Sequence, residues 1–157
     1  MSKKILKLTI HRGTHEIGGT CVELATESTR ILIDIGLPLV DEDGQSFKLG
    51  NYFNLNKAEL VERKIAKDIL GLYREDKYNK PPDAILISHS HPDHYGLLPF
   101  VKPDIPLYLS EGCQELIKAT YYFRGLDSFL KTTEIVENQK SVSIGDFKIT
   151  PYLVDHS

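Results

Sequence analysis

An apolar run, Ala84-Ile85-Leu86-Ile87, passes without a break into Ser88-His89-Ser90-His91-Pro92-Asp93-His94, and this junction constrains the chain more than any other stretch. A short aliphatic run of this kind reads as a buried strand. The polar residues behind it therefore leave a rigid sheet edge and enter a loop open to water. Three imidazoles and one carboxylate fall within six positions, and the whole chain has only six histidines. Neutral imidazole and carboxylate are the donors that a borderline divalent ion such as zinc prefers. A polar loop would not collect half of the chain's histidines beside an aspartate by chance, so the junction is read as a metal site. His89 and His91, two apart at a strand exit, can turn both rings toward one ion. His156 is distant in sequence but also follows an apolar strand. Three histidines that leave a fourth position to water form the catalytic rather than the structural pattern.

Around this junction, strands and helices alternate, which predicts an α/β fold. Extended segments are expected at residues 5–10, 21–24 and 30–34, the last carrying Ile31-Leu32-Ile33 as a strand buried on both faces. Residues 37–55 are polar, with Asp41-Glu42-Asp43-Gly44 as a turn signal, a long loop that is either functional or partly mobile. Residues 56–74 read as a helix capped by Asn56, with Leu60, Val61, Ile65, Ile69 and Leu72 on one face for core packing. The metal-bearing strand is predicted at 84–88, a helical turn at 95–100 and a short strand at 106–109. Ser110 caps a helix over 111–123, with Glu111 favourable beside its N-terminal dipole. Two late strands are predicted at 133–136 and 148–154, separated by the turn Ile144-Gly145-Asp146.

Composition sets bounds. With 157 residues and 41% apolar content, the chain can bury one domain core. Its net charge of −3 leaves no electrostatic footprint for wrapping nucleic acid. A nuclease is not excluded, because bound divalent ions add local positive charge. Cys21 and Cys113 belong to no motif and read as buried reduced thiols. The first residues lead into an alternating strand rather than an apolar block, and no stretch approaches the ~20 apolar residues of a membrane helix. The expected compartment is the cytoplasm, with no membrane partner.

The spacing His-x-His-x-Asp-His at His89, His91, Asp93 and His94 resembles the signature of the metallo-β-lactamase superfamily. Three further segments resemble that family: Ile31-Leu32-Ile33-Asp34-Ile35-Gly36, its strand ending in aspartate; Gly13-Thr14-His15-Glu16-Ile17-Gly18-Gly19, the glycine turn of its ribonuclease J-like and β-CASP branch; and Val154-Asp155-His156-Ser157, its third motif. The resemblance implies the N-terminal half of an αββα sandwich, a mixed sheet with flanking helices. It implies a first metal at His89, His91 and His156 and a second at Asp93 and His94, with two Zn2+ per complete site and Mn2+ or iron as substitutes. It also implies a bridging aspartate, a later histidine and a second domain. None of these can lie in a sequence that ends one residue after His156, so residues 1–157 read as a partial domain of a larger enzyme. The activity implied is a metal-dependent phosphodiesterase acting on RNA, with a metal-bound hydroxide as nucleophile. Two alternatives stay open: a small-molecule ester or thiolester hydrolase of the same fold, and an inactive fragment.

Asp93 and Asp34 are the candidate catalytic carboxylates. Asp34 either orients a ligand histidine or the metal loop from behind, as the family context favours, or simply caps a turn. Pro92 pre-sets the backbone before Asp93, and Ser90 spaces the two imidazoles. His15 and Glu16 are solvated loop residues or a substrate contact at the mouth of the site, and His11 is a strand histidine. Tyr121, Tyr122 and Phe123 are core residues or a base-stacking surface. A half-sandwich should leave an apolar sheet face exposed, which predicts self-association as a two-fold homodimer.

Overall fold

Residues that favour extended backbone open the chain: KLTIHR forms β1 (Lys7–Arg12) and CVELA forms β2 (Cys21–Ala25). They pair antiparallel, Leu8 opposite Leu24 and Ile10 opposite Val22. The computed structural model describes residues 5–40, 44–46, 52–77, 80–126 and 129–154. β3 (Arg30–Ile33) joins β2 antiparallel, and β4 (Ala84–Leu86), β5 (Leu107–Leu109) and β6 (Thr133–Ile135) then add in parallel, giving a mixed sheet in the order β1-β2-β3-β4-β5-β6. The parallel joins need crossovers. These carry α1 (Lys57–Glu62), then α2 (Pro92–Tyr95) with a 3-10 turn at Leu98–Phe100, then α3 (Glu111–Phe123). Alternating sheet with flanking helices is the α/β class expected.

Register divides the sheet into two faces. Leu32, Ile85 and Leu107 stand in line on one of them, and this face holds the main core with Leu60, Ile65, Leu72, Leu98 and Ile117. Ile31 and Ala84 are in line on the other, under a hairpin of β7 (Val142–Ile144) and β8 (Phe147–Ile149) that contributes Ile144 to a small second core. Burial of Ile31 and Leu32 on opposite faces matches the apolar reading of β3. The hairpin covers only part of its face. Leu8 and Ile10 of β1 remain 59% and 50% exposed.

Three local expectations are corrected. The helix predicted over 56–74 stops at Glu62, although Asn56 and Glu59 form the full reciprocal cap at its start. Lys64 turns to φ 56°, and the Ile65 and Ala66 N–H groups both return to the Leu60 carbonyl. The apolar residues beyond are buried as foreseen, but in irregular chain: Ile65, Ile69 and Leu72 are each 3% exposed or less. The late strand predicted over 148–154 is only Phe147–Ile149, and its partner β7 was not foreseen. The helical turn predicted over 95–100 is split, because Pro92 starts α2 three residues earlier. By contrast α3 occupies the predicted residues, with the Ser110 hydroxyl accepting from the Cys113 N–H at 3.2 Å. Cys21 and Cys113 are both free and buried.

Candidate metal centre

The residues of interest sit where β3 and β4 end, at the carboxyl edge of the parallel strands, where open α/β sheets place their ligands. Asp34 directly follows β3 and is 2% exposed. Its N–H extends the ladder to the Leu86 carbonyl at 2.8 Å, and its backbone then turns to φ 60°. That left-handed conformation is uncommon outside glycine, and Asp and Asn tolerate it best. The turn aims the carboxylate back at the loop after β4. Oδ1 accepts from the Ser88 N–H at 2.8 Å; Oδ2 accepts from the Ser88 hydroxyl at 2.8 Å and faces His94 Nδ1 at 2.7 Å. Asp34 therefore holds the loop and one imidazole from behind, rather than capping its own turn. Burial alone would depress the His94 pKa, but its bond to Asp34 and the charges of Asp34 and Asp93 raise it above the ordinary histidine value.

The other donors fall into two pairs. His89 Nε2 and His91 Nδ1 stand 3.1 Å apart, and His94 Nε2 lies 3.4 Å from Asp93 Oδ2. Two nitrogens bound to one tetrahedral zinc at about 2.0–2.1 Å would be roughly 3.3 Å apart. The His89–His91 pair thus fits a shared ion in donor type and spacing. No three donors among the described residues are grouped so as to hold one ion. His156 lies outside the described residues with Asp155 and Ser157 of the third motif, as do Asp41, Glu42 and Asp43 of the turn expected in the long loop.

Backbone contacts lock the histidine loop from the other side. The Thr20 N–H donates to the Asp93 carbonyl at 3.1 Å, Leu37 N–H to the Pro92 carbonyl at 3.0 Å, and Ile35 N–H to the His94 carbonyl at 2.8 Å. Thr20 belongs to the segment just after the glycine turn, whose Gly18 packs against Asp93 so closely that a Cβ there would stand 2.9 Å from the Asp93 Cβ. Arg12, 9% exposed, holds that turn: its guanidinium pairs with both Glu16 oxygens at 2.8 Å and donates to the Ile65 carbonyl. Burial would raise the Glu16 carboxyl, but Arg12 outweighs it and keeps the group below its usual value. Glu16 is exposed yet tied to Arg12, and His15 is exposed, as solvated loop residues would be. His11 faces Glu23 at 3.1 Å across β1 and β2, as a strand histidine would. Tyr121 is buried, but Tyr122 and Phe123 are 80% and 85% exposed, so the core reading holds for the first and fails for the other two. Ser88, Thr20 and Gly36 carry much of this scaffold without having been singled out from the sequence. Ser88 was visible only as the head of the histidine run.

These motifs match two family models, the metallo-beta-lactamase superfamily over residues 16–107 and a beta-lactamase superfamily domain over residues 68–157. The chain belongs to the metallo-β-lactamase superfamily. Among relatives of this superfamily member, a Ribonuclease J of Helicobacter pylori is 28% identical over 160 residues, covering 99% of this chain and 20% of the relative. A probable RNase of Methanocaldococcus jannaschii is 30% identical over 128 residues, covering 80% of this chain and 22% of the relative. The chain thus spans about one fifth of the length of these relatives. In three dimensions it resembles a protein of unknown function from Enterococcus faecalis, with a TM-score of 0.68 and 20% identity over 93% of this chain and 36% of that one. Among the described residues no helix is long and apolar enough to cross a membrane.

Proposed function

We propose that this superfamily member carries the metal-binding edge of a ribonuclease, a hydrolase of RNA phosphodiesters. The observation that carries the reading is the pairing of donors. His89 with His91, and His94 with Asp93, separate into two sets at one strand edge, with Asp34 bonded behind His94. The similarity to Ribonuclease J supports RNA as the substrate class. His89, His91 and His156 would hold one divalent ion, and Asp93 and His94 a second, with zinc the first candidate by donor type and manganese or iron the alternatives. Bound ions would lower the pKa of water from 15.7 toward about 7 and neutralise charge that builds on a phosphoryl oxygen.

The chain's own residues supply orientation. Asp34 fixes the His94 ring so that Nε2 faces outward beside Asp93, and the backbone bonds from Thr20, Ile35 and Leu37 hold α2 and its ligands in place. The net charge of −3 gives little general attraction for a polyanion, so the ions themselves would be the main local positive charge. The reading fits a protein of the cytoplasm.

The test is elemental analysis of the purified protein with His91→Ala and His156→Ala, followed by incubation with labelled single-stranded RNA and with a generic aryl ester. Bound metal that both variants lose, together with RNA cleavage, supports the proposal. Ester cleavage without RNA cleavage replaces it with a small-molecule hydrolase. Bound metal with neither activity reduces this chain to a metal-binding part, and no metal in any protein overturns the site assignment.

A further inference from the structure

The Ser88 hydroxyl touches three polar groups at once. It lies 2.8 Å from Asp34 Oδ2, 3.0 Å from His89 Nδ1 and 3.2 Å from His94 Nδ1. It has one proton to donate and lone pairs with which to accept. An ionised Asp34 can only accept. If the Ser88 proton pointed at His89, the Ser88 and Asp34 oxygens would face each other at 2.8 Å with no hydrogen between them, an unfavourable contact of two acceptors. The proton must therefore go to Asp34. Ser88 Oγ then remains an acceptor toward His89, and the ring nitrogen it faces, Nδ1, must carry the hydrogen. His94 is fixed the same way, because its Nδ1 faces Asp34 Oδ2 at 2.7 Å.

We infer that Ser88 is a positioning residue that sets the tautomer of His89, relaying the constraint of Asp34 so that Nδ1 is protonated and Nε2 is left bare toward His91. The nitrogen of a histidine that is free to bind a metal is decided by the bond its other nitrogen makes. Asp34 thus orients His94 directly and His89 through one hydroxyl, and a single buried carboxylate prepares one ligand from each donor pair. The inference rests on the proposed metal site but not on the substrate: it concerns where the ring hydrogens sit in the metal-free protein.

The experiment is nitrogen-15 NMR of the histidine rings in the metal-free protein, for wild type, Ser88→Ala and Ser88→Thr, with zinc affinity measured by chelator competition. Both His89 and His94 should be Nδ1-protonated in wild type. In S88A, His89 should lose that preference while His94 keeps it, and zinc should bind roughly ten- to a hundredfold more weakly. The threonine variant, which keeps the hydroxyl, should restore both. An Nε2-protonated His89 in wild type overturns the inference. So does an unchanged His89 in S88A, or loss of the His94 tautomer along with that of His89, which would mean general loosening. A loss of RNA cleavage in any variant bears on the proposed function alone, because the ring signals are read without substrate or metal.

Discussion

Gly36 lies against the backbone of Asp93 so tightly that a Cβ at position 36 would stand 1.7 Å from the Asp93 carbonyl oxygen. The segment after β3 and the histidine loop after β4 are thus packed backbone to backbone, and only a residue without a side chain permits it. The same contact admits the Thr20–Asp93 and Gly36–Thr20 hydrogen bonds, at 3.1 and 2.9 Å. Gly36→Ala should therefore cost at least about 2 kcal/mol, since overpacking and lost backbone bonds act together. Gly112→Ala, in the first turn of α3 with nothing within 4 Å of its added Cβ, should instead stabilise by about 0.5–1 kcal/mol. Urea unfolding of the two variants checks the contrast, and equal effects would remove the special role given to Gly36.

Asp34→Asn separates charge from backbone shape. Asparagine accepts φ 60° as readily as aspartate does, so the turn itself should survive. Its amide, however, must point a donor either at the Ser88 N–H or at the Ser88 hydroxyl and His94, where the carboxylate accepts three bonds. The expected cost is about 1–3 kcal/mol in stability, with metal binding weaker by roughly ten- to a hundredfold. Denaturant unfolding and chelator competition measure the two separately. A variant that binds metal normally would show that Asp34 is only a structural residue.

A pH dependence should come from a pair outside the site. Lys57 bonds both Asp68 and Asp76, and Asp76 is 8% exposed. Burial would raise the Asp76 carboxyl, but bonds from Lys57 and the Tyr73 N–H hold it below its usual value. Burial would lower Lys57, but its two carboxylate partners raise it. A depressed carboxyl stabilises above its unfolded pKa, near 3.9, and loses that contribution as pH falls through the folded value. A raised lysine stabilises below about 10.4 and loses it as pH rises through its folded value. Asp76→Asn should therefore be less stable than wild type between roughly pH 4 and 10, the gap closing at lower pH. A gap that persists unchanged to pH 2 would assign the loss to hydrogen bonding instead.

Much of the fold could be read where local chemistry and tertiary packing agree. α3 is the clearest case: Ser110 caps it, Cys113, Ile117 and Tyr121 repeat at helical spacing, and all three are buried. The segment after Asn56 shows the opposite. Ile65, Ile69 and Leu72 suit a helical face, yet the chain turns at Lys64 and at Gly71, φ 56° and 77°, and buries them individually. Periodicity reports which residues are buried, not which backbone carries them. β7 was missed because Val142-Ser143-Ile144 is too short to stand out, and it exists only by pairing with β8 over Ile31 and Ala84. The histidine motif was legible as donors because its spacing is local. Ser88 and Gly36 were not, since their importance lies in what Asp34 and Asp93 place beside them.

Tyr122 and Phe123 offer a test of the RNA reading away from the metal donors. They project at the end of α3 with 80% and 85% of their surfaces exposed, ring centroids 5.7 Å apart. Replacing both with serine should change stability by no more than about 0.5 kcal/mol per site, as for other surface substitutions. Tyr121→Ala, which empties a buried position, should cost about 3–5 kcal/mol. If single-stranded RNA stacks on this surface, the double serine variant should also bind it more weakly, by about 1–3 kcal/mol for each base unstacked. Fluorescence anisotropy with a short labelled oligonucleotide reads this directly. Unchanged affinity would exclude these two rings from RNA binding.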